Sequence, residues 1–153
     1  MSDWLSDEEM ALWRPFLTSM LGVSLHLDAS LRASDDLSLD DYEVLVHLSE
    51  AQERRLRMSQ LSDRLLNSRS RLTQRVDRLE RRGYVTRKKC DADRRGTWAV
   101  LTDAGFAALT EAAPAHVSHV RDVLFDHLDP ADLADLTSVF ERLAAQFDPE
   151  LDS

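Results

Sequence analysis

Apolar residues recur every three or four positions through most of this chain, and that spacing commits it to helices. Trp13, Phe16, Met20, Val23, Leu27 and Leu31 form one stripe. Phe106, Leu109, Ala113, Val117, Val120, Leu124 and Leu128 form a second, and Leu133, Leu136, Phe140, Leu143 and Phe147 a third. Start signals frame the runs. Ser6 followed by Glu9 reads as a capping box, and Ser38 precedes the short apolar run Tyr42, Leu45, Val46 and Leu48. Thr102-Asp103 and Asp129-Pro130 open the last two helices. Pro15 falls inside the first run and predicts a kink or a late start, and Pro114 predicts a kink in the second. No apolar run approaches the roughly 18 residues needed to span a bilayer. The acidic Met1-Ser2-Asp3-Trp4 does not read as a leader, so a cytoplasmic protein is expected.

Between the flanking stripes lie shorter elements. Ala51 to Arg55 reads as a loop, and Leu56-Arg57-Met58 as a very short strand. Ser59 reads as the N-cap of a helix carrying Leu61, Leu65 and Leu66. Asn67-Ser68 breaks the pattern and begins another helix, ending at Gly83. Residues 84–90 and 97–101 are strand-like around a charged loop, a β-hairpin. The expected fold is mainly α with a small β-hairpin wing. It is one domain over residues 1–153, with a winged helix-turn-helix at about 38–101 and helices at about 6–33 and 102–147 on either side. The flanking stripes exceed what one such unit can cover, so they predict pairing with a second copy as a homodimer.

The charges are segregated. The chain carries a net −9, yet residues 53–95 hold 15 of the 19 Lys and Arg with only six acids, so that stretch is +9 and the remainder −18. A basic block inside an acidic protein is the footprint of a polyanion-binding surface. On a helix over 68–82, Leu72, Val76 and Leu79 face the core, and Ser70, Thr73, Gln74, Asp77 and Arg81 lie opposite. Arg71, Arg75, Arg78 and Arg82 form a basic flank. The candidate DNA-binding residues of this helix are therefore Ser68, Ser70, Arg71, Thr73, Gln74, Arg75 and Arg78. Short polar side chains and Gln can hydrogen-bond base edges in the major groove, and Arg can contact guanine or phosphate. The hairpin that follows has a thin basic tip, Arg94-Arg95, able to reach the adjacent minor groove. Double-stranded DNA is the expected partner. A winged-helix protein-interaction module without specific DNA binding is the alternative.

The run from Leu61 to Gly96 resembles the MarR (multiple antibiotic resistance regulator) family. The matching elements are LTQRVDRLERRGYVTR from Leu72 to Arg87, then Asp91-x-Asp93-Arg94-Arg95-Gly96, then Leu101-Thr102-x-x-Gly105. In helix order and length the resemblance extends over residues 10–147. It implies a dimeric winged-helix repressor, in many members released by a small aromatic or phenolic effector. It also implies that Arg95 enters the minor groove and that Asp93 orients it.

No enzyme and no cofactor are expected, since the chain carries no phosphate-binding Gly-rich loop, Ser nucleophile motif or acid–base cluster. A single cysteine, Cys90, excludes an internal disulfide framework and reads as inert. His116 and His119, with Glu111 nearby, read as a solvated pair rather than a metal site. By the resemblance, effectors sit between the dimer helices and the winged unit. Trp13, His26, Tyr42, His47 and Trp98 are the residues near that level, and each reads as packing.

Overall fold

The computed structural model describes residues 4–92 and 95–147. Among these residues, six α-helices and a three-stranded sheet follow one another as α1 (Asp7–Asp35), α2 (Leu39–Glu50), β1 (Arg55–Arg57), α3 (Met58–Arg64), α4 (Arg69–Arg81), β2 (Val85–Lys89), β3 (Thr97–Leu101), α5 (Asp103–Val123) and α6 (Pro130–Ala145). The sheet is antiparallel in the order β1-β3-β2, with Leu56 opposite Ala99 and Val85 opposite Leu101. The expected architecture, a mainly helical winged helix-turn-helix with helices at both ends, is the one observed. No helix among the described residues is long and apolar enough to cross a membrane.

Most of the helix starts follow from their caps. Ser6 Oγ accepts from the Glu9 N–H at 3.2 Å while the Ser6 N–H donates to Glu9 Oε2 at 2.7 Å, a reciprocal capping box. Ser38 and Thr102 accept from Asp41 and Gly105 N–H groups at 3.0 Å each. Pro130 is the first residue of α6, where its missing N–H has no intrahelical partner to lose.

Three local expectations are corrected. Ser59 is not a cap: α3 begins at Met58, and the Arg57 N–H is held by Gln60 Oε1 at 3.1 Å. Arg57 is still paired with Trp98 in the sheet, so strand passes into helix with no spacer and Ser59 falls inside the first turn. The helix then ends at Arg64, before Leu65 and Leu66, because Leu66 adopts a left-handed φ of 50°. Ser62 Oγ donates to the Asn67 carbonyl at 2.7 Å and fixes the resulting turn. Finally, α1 begins at Asp7, so Pro15 does not delay its start, and α1 and α5 both run on past their prolines. Pro15 and Pro114 lie on exposed faces, as do Ala11 and Thr110 four residues earlier, where water can satisfy a freed carbonyl.

One core joins the elements. Val44, Leu45 and Leu48 of α2 are fully buried, together with Leu61 of α3, Val76 and Leu79 of α4, Val85 of β2 and Ala99 of β3. Leu31 of α1 and Leu109 and Ala112 of α5 close it from the other side. The flanking helices contribute only short segments. In α1 just Leu27 and Leu31 are buried, and in α6 no residue is fully buried. Trp13, Met20, Phe140 and Leu143 remain 42–49% exposed.

Where α5 crosses α2, the His116 and Tyr42 rings lie 4.4 Å apart, and His116 Nδ1 is buried without a hydrogen-bond partner. Burial, reinforced by neighbouring His119, holds the His116 imidazole below its ordinary pKa. As pH falls through about 6.5, the unfolded chain therefore takes up protons that the folded chain refuses, and stability declines.

Two predictions follow from this packing. Gly105 sits where α5 meets the sheet, and a Cβ there would overlap the Tyr84 carbonyl oxygen and lie 2.7 Å from Leu101 Cδ1. That carbonyl is fixed by the Thr102 N–H at 3.0 Å and cannot move aside. Gly105→Ala should thus cost about 1–3 kcal/mol or more in urea unfolding; an unchanged midpoint would refute the close approach. His116→Gln removes the titration. Between pH 7.5 and 5.5 the wild type should lose stability relative to the variant, and parallel pH profiles would show that His116 is not the group responsible.

Candidate nucleic-acid interface

The amphipathic pattern of α4 is realised in three dimensions. Leu72, Val76 and Leu79 are at most 1% exposed, while Ser70, Arg71, Thr73, Gln74 and Arg81 are exposed on the other side. Ser68 caps the helix, its Oγ accepting from the Arg71 N–H at 3.4 Å and lying 3.3 Å from Ser70 Oγ. Thr73 Oγ1 donates to the Arg69 carbonyl at 2.9 Å, which leaves its lone pairs facing outward as acceptors. The outer face of α4 is thus a row of short hydroxyls and one amide, flanked by Arg71.

The rest of the basic flank turns elsewhere. Arg75 pairs with Asp40, and its side chain is only 16% exposed. Burial, with Arg78 beside it, lowers its pKa, although a guanidinium remains charged. Arg78 binds Asp41 Oδ1 at 3.0 Å. Arg82 donates to the Asp36 carbonyl at 2.5 Å and lies 4.8 Å from the Tyr84 ring centre. Asp40 and Asp41 occupy the first turn of α2, where acids are favoured by the helix dipole. These arginines accordingly clamp α4 to α2 and to the end of α1. Their spacing places them on the flank, but only the α2–α4 packing shows which carboxylates they meet.

Asp77, expected on the outward face, is half-buried and engaged by the wing. Arg87 of β2 contacts Asp77 Oδ1 at 2.5 Å and Glu80 Oε2 at 2.8 Å. The hydrogen bond from Arg87 keeps the Glu80 carboxyl below its usual range. The wing is thereby tied at its base to the second half of α4. Higher up, the Cys90 N–H donates to the Gly96 carbonyl at 2.9 Å, and Arg95 is exposed. Asp93 and Arg94 lie outside the described residues.

Between α3, the start of α4 and the wing lies a cleft of about 380 Å³, lined by Arg57, Ser59, Arg69, Thr73, Arg87 and Arg95 among others. Neither Arg57 nor Arg69 stands out by sequence pattern. Their only signal was membership of the basic block, because the pairing of β1 with β3 and the turn at Leu66 bring them together.

Of the aromatic and histidine candidates, Trp98 carries the guanidinium carbons of Arg55 and Arg57 at 4.8 and 5.5 Å from its ring centre. Trp13 lies 6.0 Å from Phe16, and His26 the same distance from His119. Among the described residues, no group of three or more His, Cys, Asp or Glu side chains is placed to hold a metal ion.

A model of the MarR family matches residues 35–96. The chain is 41% identical over 66 residues to the HTH-type transcriptional regulator PecS of Dickeya dadantii, covering 43% of this chain and 40% of that relative. It is 30% identical over 115 residues to the HTH-type transcriptional repressor YetL of Bacillus subtilis, covering 73% and 69%. Among solved structures, Sco3205 of Streptomyces coelicolor, a MarR family transcriptional regulator in complex with DNA, superposes with a TM-score of 0.91 at 37% identity, covering 97% of this chain and 93% of that one.

Proposed function

This chain belongs to the MarR family and is a DNA-binding transcriptional regulator, and from that premise we propose that it works in the cytoplasm as a homodimeric repressor of a near-palindromic operator. The observation that carries the reading is the outer face of α4. Ser70, Thr73 and Gln74 stand exposed in one row beside the wing, on a fold shared with a DNA-bound relative. In this reading α4 enters the major groove, where Gln74 and Ser70 meet base edges. Arg71 supports them from the flank, and Ser68 fixes the first turn. Arg95, with Arg94 and Asp93 beside it, takes the narrower minor groove, whose negative potential attracts a guanidinium. Arg75 and Arg78 act from behind, as the residues that orient α4. Family and fold are those of transcriptional regulators rather than enzymes.

The homodimer is supported by what one chain leaves uncovered. Trp13 and Met20 on α1, Val117, Leu124 and Phe125 near the end of α5, and Leu133, Phe140, Leu143 and Phe147 on or just after α6 are all exposed. Exposed apolar surface on this scale marks an interface. Release by a small aromatic or phenolic effector rests on the family resemblance alone.

Selection of bound sequences from random DNA tests the operator reading. The wild type should recover half-sites about 10–10.5 base pairs apart, centre to centre. Gln74→Ala should cost about 1–3 kcal/mol per half-site and relax the preference at one position in each half. Arg95→Ala should leave those letters intact and weaken binding to most sequences. If Arg95→Ala alters the half-site letters and Gln74→Ala does not, the groove assignment is wrong. For the dimer, Phe140→Asp places an unpaired charge in the proposed interface and should abolish dimerisation in sedimentation. Normal dimers from this variant would mean that the subunits pair through another surface.

A further inference from the structure

We propose that the cleft between α3, the start of α4 and the wing is an oxyanion site for one backbone phosphate of the bound duplex, with Arg57 and Arg69 as its principal ligands. The inference rests on the groove assignment above. If α4 lies in the major groove and Arg95 in the adjacent minor groove, one sugar–phosphate strand must pass between them, and the cleft occupies that position. It is about 380 Å³, enough for a phosphodiester group and parts of its sugars.

The lining is suited to such a group. Arg57 enters from the end of β1, Arg69 from the first residue of α4, and Arg95 from the hairpin. No carboxylate is among the described residues that line it. Ser59 and Thr97 add neutral hydroxyl donors. Arg57 is steadied from behind, 5.5 Å from the Trp98 ring centre and 3.7 Å from Cys90 Sγ. Arg87 also reaches the cleft, but it is held by Asp77 and Glu80 and serves as its wall. The arginines that sequence spacing alone would assign to phosphate, Arg75 and Arg78, already face Asp40 and Asp41. The cleft brings Arg57, Arg69 and Arg95 to the strand from the other side of α4.

The test is a double-mutant cycle between protein and DNA, using the selected operator with single phosphates replaced in turn by neutral methylphosphonates. For the wild type, one position per half-site, between the major-groove letters and the flank, should weaken binding about tenfold. Arg57→Gln/Arg69→Gln should bind the unmodified operator about tenfold less tightly, with a log–log salt slope smaller by about one unit per subunit, and should lose nothing more at that position. If the double variant does not fold, Arg69→Gln alone carries the cycle, since Arg69 is exposed and outside the core. Additive losses at every position would overturn the phosphate site while leaving the operator reading intact. So would an affinity equal to that of the wild type. A site serving a free anion would show no dependence on position and would likewise overturn it. A wild type that selects no sequence at all would instead remove the operator reading, and this site with it.

Discussion

The burial of Leu72, Val76 and Leu79 is the constraint on which the rest of the molecule depends. Three side chains on one face of α4, each worth about 1.5–3 kcal/mol on burial, leave the helix only one way to sit. Once that face is committed, a rotation of about 100° per residue directs Ser70, Thr73 and Gln74 outward without further instruction. The recognition surface is in this sense a by-product of the core. Its precision comes from α2, whose fully buried Val44, Leu45 and Leu48 form the floor against which α4 and the sheet are packed.

Polar contacts then remove the freedom that apolar packing leaves. Arg75 to Asp40, Arg78 to Asp41 and Arg82 to the Asp36 carbonyl resist sliding and rolling of α4 against α2. A further link reaches α1, where Asp28 accepts from the Leu39 N–H at 2.8 Å and from Arg32 Nε at 2.7 Å. Arg87 ties the wing to α4. The more exposed of these pairs contribute little to stability, about 0–1 kcal/mol each. Their value here is geometric, because helix, turn and wing must present their contacts to DNA as one rigid piece. The same contacts give a continuous polar route from the first helix, through α2, to the recognition surface.

Two surfaces of the chain have opposite character. The basic cleft and the outer face of α4 are hydrophilic and open. The outer faces of α1, α5 and α6 are apolar and equally open, and none of the described elements covers them. A family whose members bind DNA needs the first surface. The proposed second copy of the chain would cover the second, and two copies would present two reading heads to one duplex.

Much of this was legible in the sequence because helices and caps are local. The stripe at 72, 76 and 79, the caps at Ser6, Ser38, Ser68 and Thr102, and the hairpin between 85 and 101 each depend on residues within a few positions of one another. So does the choice of Gly at 83, which adopts a φ of 77°, a left-handed conformation that costs glycine little. What the sequence could not determine were the pairings between distant segments. Spacing made Arg75 and Arg78 candidate DNA contacts, and only the fold shows that Asp40 and Asp41, more than thirty residues away, are paired with them. Arg57 and Arg69 showed no common pattern until the alignment of β1 on β3 and the left-handed turn at Leu66 brought them into one cleft. Local periodicity decides which face of a helix is apolar, whereas the partner of a long, flexible charged side chain is decided only when the core has fixed what lies within its reach.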